Sequence, residues 1–390
     1  MSVRVDYAIV GGGPAGLAVA ILAALAGRRA VVIERRQGAV DKACGEGVMP
    51  PGVAWLRRMG VAIAADGARQ FRGIRYVDGA IVAEADFAEG PGLGVRRTTL
   101  SGAMLARAAA LGVDLRQDCE ARSFVEHGDG VTLETGRGPV EARWLVGADG
   151  LHGQVRKAGG FAVTRGARQR FGMRRHFRLA PWSEHVEVHW ADGVEAYVTP
   201  VGPDRVGVAF LWTADAGPPG DYEAFLARFP ELRARLGTAL AAPENTVRGG
   251  GPFETRVTPI ARGRVLLVGD ASGYLDAITG EGLSLAFASA AALVEATTGE
   301  DAAAYPAAWA RIRRRHVQMT RVVLFLADHP RLRRRVLRAL AASPGAFGAF
   351  LALNTGAWGW GRALPGVGML GLRLLTTSFS FSRQRASARP

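Results

Sequence analysis

The sequence predicts an α/β fold in which a doubly wound, Rossmann-like parallel sheet is interrupted by an antiparallel β-sheet and followed by a helical C-terminal region. Three observations predict it. Residues 5–36 read as a short apolar strand closing on Tyr7–Val10, a glycine turn at Gly11, Gly13 and Gly16, an alanine-rich helix, and a second apolar strand that ends on Glu34. Apolar runs that end in glycine and aspartate return at 144–150 and 264–270. Between them, 171–212 alternates apolar and polar residues with period two, the pattern of antiparallel strands.

Each position in the first unit has a physical task. Gly11 permits a tight turn, Gly13 lets backbone approach a pyrophosphate, and Gly16 lets helix sit close on strand. Pro14 and Ala15 open the helix, whose free N–H groups and partial positive charge face an anion. Glu34, about twenty residues on, is placed to accept from a ribose diol, with Arg35 beside it. The acid argues against a glycine turn that binds nothing.

The remaining elements follow in order. A loop, Asp41-Lys42-Ala43-Cys44-Gly45-Glu46-Gly47, precedes a helix running from Pro50-Pro51 through Trp55 to Met59. Residues 71–95 suggest short antiparallel strands, and Arg97 to Ala110 a helix stopped by Gly112. Strands are expected at 113–115, 131–133, 144–147, 185–190, 195–199 and 205–210, and a helix over 222–236. Gly249-Gly250-Gly251, followed by Pro252, reads as a loop, so no second dinucleotide unit is present. After the strand at 264–270 come Thr279-Gly280-Glu281-Gly282, a long alanine-rich helix, and helical 301–345; residues 346–370 carry too much glycine and proline for a regular assignment.

Composition sets outer bounds. The 390 residues exceed one compact core, and 48% hydrophobic content supports two or three. The formal charge of +14 is almost all arginine, lysine occurring only at Lys42 and Lys157. The bias reads as coding bias along the whole chain, and no nucleic-acid partner is expected. Clusters at Arg311–Arg315 and Arg331–Arg335 lie beside apolar residues and would suit an anionic membrane or an acidic substrate, although solvated helix faces are commoner. Cys44 and Cys119 suggest neither a disulfide framework nor a metal site, and Cys119 reads as packing. The first strand begins within six residues of Met1, so no signal peptide is expected. The uncharged stretch 339–361 is interrupted by Ser343-Pro344-Gly345 and Asn354-Thr355-Gly356. A cytoplasmic protein with peripheral membrane contact is the expectation.

Taken together, the segments over about 5–300 resemble the flavin monooxygenase and geranylgeranyl reductase superfamily, which includes p-hydroxybenzoate hydroxylase. The resemblance implies non-covalent FAD. Gly11, Gly13, Pro14, Ala15, Gly16, Glu34 and Arg35 would form the adenosine and phosphate end. Arg97 would reach the phosphates, and Asp149 with Val155-Arg156 would support the pyrophosphate region, Gly153 standing where the family has serine. Gly269 and Asp270 would meet the ribityl chain, with Cys44, Gly45, Gly280 and Gly282 near the ring. The implied organisation is FAD-binding at 1–75, 96–165 and 259–300, substrate-domain strands at 76–95, a substrate sheet at 166–258 and helices at 301–390.

The leading expectation is an NAD(P)H-dependent monooxygenase, a hydroxylase or epoxidase of an apolar or aromatic secondary metabolite. NAD(P)H would bind transiently, or a redox partner would supply electrons. One alternative is a geranylgeranyl-reductase-like enzyme acting on prenyl or polyene double bonds; another is a non-catalytic prenyl-lipid binding protein. Lys42–Gly47 and Thr279–Gly282 resemble the reductase branch. Its Tyr-x-Trp-x-Phe-Pro pattern, aligned on Pro200, gives Glu195, Tyr197 and Thr199 as substrate-facing positions, with only the proline retained. The tryptophan motif of the halogenases is missing. Cys44, Glu46 and Tyr197 are the catalytic candidates, and His152, His176, His185 and His189 are general-base candidates. His185, Glu187 and His189 share one strand face and read as exposed sheet polars rather than metal ligands.

Overall fold

A computed structural model describes residues 4–216, 221–299, 301–366 and 368. In chain order the elements that position the site are β1 (Val5–Val10), α1 (Pro14–Leu25), β2 (Ala30–Glu34), α2 (Pro50–Met59), β3 (Gly73–Asp78), β4 (Ile81–Asp86), α3 (Arg97–Ala110), β5 (Asp114–Gln117), β6 (Val140–Gly147), α4 (Gln154–Ala158), β7 (Arg170–Arg178), β8 (His185–Ala191), β9 (Val194–Gly202), β10 (Arg205–Thr213), β11 (Val265–Leu267), α5 (Gly282–Thr298), α6 (Ala304–Asp328), α7 (Pro330–Ala341) and α8 (Pro344–Thr355).

The nucleotide-type sheet has the order β11-β6-β1-β2-β5, with these neighbours parallel. Pleat alternation sends Tyr7 and Ile9 to a core shared with Leu17 of α1, Met104 of α3 and Phe287 of α5. Ala8 and Val10 enter a second core, on Leu145, Leu267 and Phe161. Both faces are thus covered, as continuous apolar strands require.

The antiparallel layer runs from a short strand at Arg248–Gly250 through β7, β10, β9, β8, β3 and β4, with only β8 and β3 parallel. Its one side packs on the helices of 222–236; its other packs on α7 and α8. Phe71, Ile74, Trp190, Ile278, Leu337 and Phe347 meet there in one apolar cluster.

Four sequence expectations are corrected. The helix over 222–236 is two, Tyr222–Ala227 and Pro230–Leu236, because proline starts a helix readily but cannot continue one. Gly249 and Gly250 belong to an edge strand pairing β7 rather than to a loop. Residues 346–355, expected to be irregular, belong to α8, with Pro344 at its start and Gly356 in the left-handed region as its stop. The sheet polars Glu187 and His189 are buried, not exposed, because Phe229 and Arg235 from the 222–236 helices cover them. Glu187 accepts from His189 Nε2 at 3.0 Å and from Trp182 Nε1 at 3.1 Å, while His185 bonds Asp86. No single described helix is long and apolar enough to cross a membrane; α7 and α8 pass together but are bent by 111°.

Candidate functional site

The glycine turn leaves a vacant approach at one place only. Gly11 has φ +113°, and a Cβ there would lie 2.4 Å from the Ala148 carbonyl oxygen; at Gly16 it would lie 2.0 Å from the Gly11 oxygen. These two glycines serve the fold. A Cβ on Gly13 meets nothing nearer than Arg97 Nη2 at 3.6 Å. Gly13 also caps α1 without a side-chain hydrogen bond, so the first-turn N–H groups are free. Arg97 Nε is buried with no partner among the described residues, as is Arg156 Nε. Open N–H groups, Arg97 and unfilled space in front of Gly13 fit a diphosphate.

Glu34 is oriented by accepting from Gly12 N at 2.8 Å and Arg36 N at 3.0 Å, while Arg35 is exposed beside it. Asp149 accepts from the N–H groups of Gln154 and Val155, capping α4. A Cβ on Gly153 would come within 2.3 Å of Asp149 Oδ1, which explains why serine has no room here. Asp270 pairs with Lys42 Nζ at 2.8 Å. Burial pushes its carboxyl up, but Lys42, Arg97 and Arg313 outweigh that and hold it below the ordinary value, so it is an ionised acceptor. Gly269 has φ +61° and abuts Ala15, bringing the third segment onto the start of α1. A small cleft lined by Asp270, Tyr274, Gly282, Arg313 and His316 continues from it. The ionised carboxylate and the glycines beside it fit the hydroxyl-bearing ribityl part of FAD.

The loop Cys44–Gly47 is clamped to the sheet. Thr199 Oγ1 donates to Gly45 O at 2.8 Å. Glu46, buried and at φ +61°, accepts from Arg97 N at 2.8 Å and is paired with His176 Nε2, with Arg174 3.5 Å away. His176 is fully buried and held on its other nitrogen by Asn245, so it fixes the loop and has no free face for a substrate. The Cys44 thiol receives a hydrogen bond from Glu46 N at 3.4 Å, and burial pushes its pKa up. His152 lies outside this cluster, on the loop before α4, its pKa lowered by burial and by Arg156.

The three substrate-facing candidates have internal partners. Tyr197 donates to Ile278 O at 3.0 Å, and burial raises its phenol well above the ordinary value. Glu195 accepts from Arg170 at 2.6 Å, and Arg170 also holds Asp276 at 2.9 Å. Gly280, at φ +70°, faces Met49. Beside it Glu281 is buried, accepts from Asn354 Nδ2 at 3.3 Å, and is pushed up by burial to about 8. Lys42, Arg170, Asp276, Arg313 and Asn354 were not assigned from sequence. Lys42 carries a signal as one of two lysines and as the start of the glycine-rich loop, and Arg313 lies in the basic cluster at 311–315. No group of His, Cys, Asp and Glu among the described residues could hold a metal ion.

A family model described as FAD binding domain matches residues 4–318. The chain is 27% identical over 341 residues to a menaquinone reductase from Mycolicibacterium smegmatis, covering 81% of this chain and 82% of that one. It is 30% identical over 320 residues to a 12-dehydrotetracycline 5-monooxygenase/anhydrotetracycline 6-monooxygenase from Streptomyces rimosus, covering 74% of this chain and 61% of that longer protein. A flavoprotein/dehydrogenase structure from Cytophaga hutchinsonii superposes with a TM-score of 0.83 at 18% identity, over 96% of this chain and 100% of the other, and shares the fold.

Proposed function

This chain belongs to the FAD-binding-domain family and is an FAD-dependent oxidoreductase, and from that premise we propose that it reduces a double bond or quinone of an apolar lipid. FAD, when bound, supplies hydride transfer between an NAD(P)H-type donor and the substrate. The observation that carries the reading is the fixed position of the Cys44 loop. Glu46 paired with His176, and Thr199 bonded to the Gly45 carbonyl, hold the loop against the sheet, and the Cys44 thiol on it would be the proton donor to a substrate reduced beside the flavin ring.

The other residues bind, orient and exclude water. Gly13, the start of α1 and Arg97 receive the diphosphate; Glu34 takes a ribose; Asp270 takes the ribityl chain. The match to a menaquinone reductase over most of both chains supports a lipid substrate.

A second reading, a monooxygenase of an aromatic metabolite, draws on the tetracycline monooxygenase relative. It is less favoured because Glu46, Glu195, Tyr197 and His176, the groups able to take a proton from a phenol at this face, are all engaged internally.

Anaerobic mixing of reduced holoprotein with a menaquinone or polyprenyl substrate tests the choice. Return of oxidised-flavin absorbance without oxygen, accompanied by saturated or quinol product, is expected. Turnover that requires oxygen and places isotopically labelled oxygen in the product would overturn the reductase reading. A purified protein that takes up no FAD would remove both.

A further inference from the structure

Residues 1–301 hold 34 Lys and Arg against 34 Asp and Glu, whereas 302–390 hold 15 Arg against one acid, Asp328. The whole formal charge of +14 therefore resides in the C-terminal segment. Coding bias acts along an entire gene and would have spread the excess, so the asymmetry answers a local demand.

On α6, Arg311, Arg314, Arg321, Val322 and Phe325 are exposed at helical spacing, and Val322 and Phe325 remain 45% and 52% accessible. Met319 of the same helix packs with Ala363, which joins α6 to a helical segment at 360–366. That segment exposes Trp360 at 48% and Leu364 at 61%, with Arg362 between them. Four of the eight large apolar side chains left exposed by the described residues thus fall on these two neighbouring pieces. Among the described residues no carboxylate pairs with Arg311, Arg314 or Arg321.

We infer that this face, the outer stripe of α6 with segment 360–364, docks on an anionic phospholipid bilayer. The arginines meet headgroup phosphates while Val322, Phe325, Trp360 and Leu364 enter the interface. Nucleic acid would attract the same arginines but gives nothing to exposed Val322 and Leu364. The opposite side of α6 presents Val323 and Ala327 to the apolar cluster that holds Ile278 and Phe347, so the docking face lies on the outer side of a helix anchored in the core. The inference deepens the proposed function by naming where an apolar substrate would be drawn from.

The test uses resting FAD-loaded protein without turnover, so its failure is distinct from failure of the reductase reading. Cosedimentation with vesicles of phosphatidylcholine mixed with phosphatidylglycerol is expected, with little binding to phosphatidylcholine alone and release by salt. Arg321→Glu combined with Phe325→Asp should weaken partitioning by about tenfold or more. Trp360→Ser with Leu364→Ser, on the other segment, should weaken it too; flavin content and melting temperature check that each variant folds. No binding to the mixed vesicles, binding indifferent to both variants, or tighter binding to a short DNA duplex would each overturn the assignment.

Discussion

Glu46 and His176, 130 positions apart in sequence, form a buried pair that ties the Cys44–Gly47 loop to the centre of the antiparallel sheet. The loop is therefore held from the side of the antiparallel sheet. Glu46→Ala would leave His176, Arg174 and the Arg97 N–H without their shared acceptor. We expect a loss of about 3–5 kcal/mol in unfolding free energy, read by urea denaturation. A loss within experimental error would mean that the pair is solvated.

The glycines of the first turn should separate by experiment. Gly13→Val meets open space in the fold but fills the diphosphate approach, so the protein should fold with normal circular dichroism and retain no FAD. Gly11→Val meets the Ala148 carbonyl and a positive φ, and should fail to fold. Normal flavin content in the Gly13 variant would place the phosphates elsewhere.

Asp270→Ala should weaken FAD binding by about 1.5–3 kcal/mol, the range for a hydrogen bond with one charged partner. Fluorescence titration of apoprotein with FAD measures it. Unchanged affinity would leave Asp270 as a partner of Lys42 alone.

Glu281 makes stability depend on pH. Its folded pKa of about 8 lies above the ordinary 4.5, so the folded state binds the extra proton and stability declines as pH rises across that window. Glu281→Gln keeps an acceptor for Asn354 and removes the titration. The variant should exceed the parent by on the order of 4 kcal/mol at pH ~8 and come close to it near pH ~4.5. Parallel denaturation curves at every pH would show that Glu281 is solvated.

Thr199→Trp should change turnover or substrate preference while flavin content stays normal, since Thr199 sits between the sheet and the Gly45 carbonyl. Identical kinetics toward every accepted substrate would move the substrate surface away from β9.

The glycine turn, Glu34 and the alternating strands could be read from sequence because each meets a local requirement: a tight turn, an acid at a strand end, a two-residue pleat. Partners were not legible. Nothing near Glu46 announces His176, and nothing near Glu195 announces Arg170, because both pairs close only when the sheet folds. The resemblance implies cofactor support from Asp149, and its carboxylate also gives one oxygen to the N–H groups at the start of α4, the capping role open to an aspartate after a strand. Alternation puts Glu187 and His189 on one strand face without saying whether a helix will cover that face, and the 222–236 helices do.

The strand order β11-β6-β1-β2-β5 has a consequence for synthesis of the chain. Over 140–142 the outer edge of β6 pairs with the preceding strand at 131–133, but its buried end at Leu145 and Val146 gains an outer neighbour only when Val265–Leu267 emerges, after the whole antiparallel sheet has been made. At roughly 5–20 residues per second, the nascent chain carries that apolar edge unpaired on the ribosome for about 6–24 seconds. Slow growth or abundant chaperone should raise the yield of soluble protein more than any change to the finished fold.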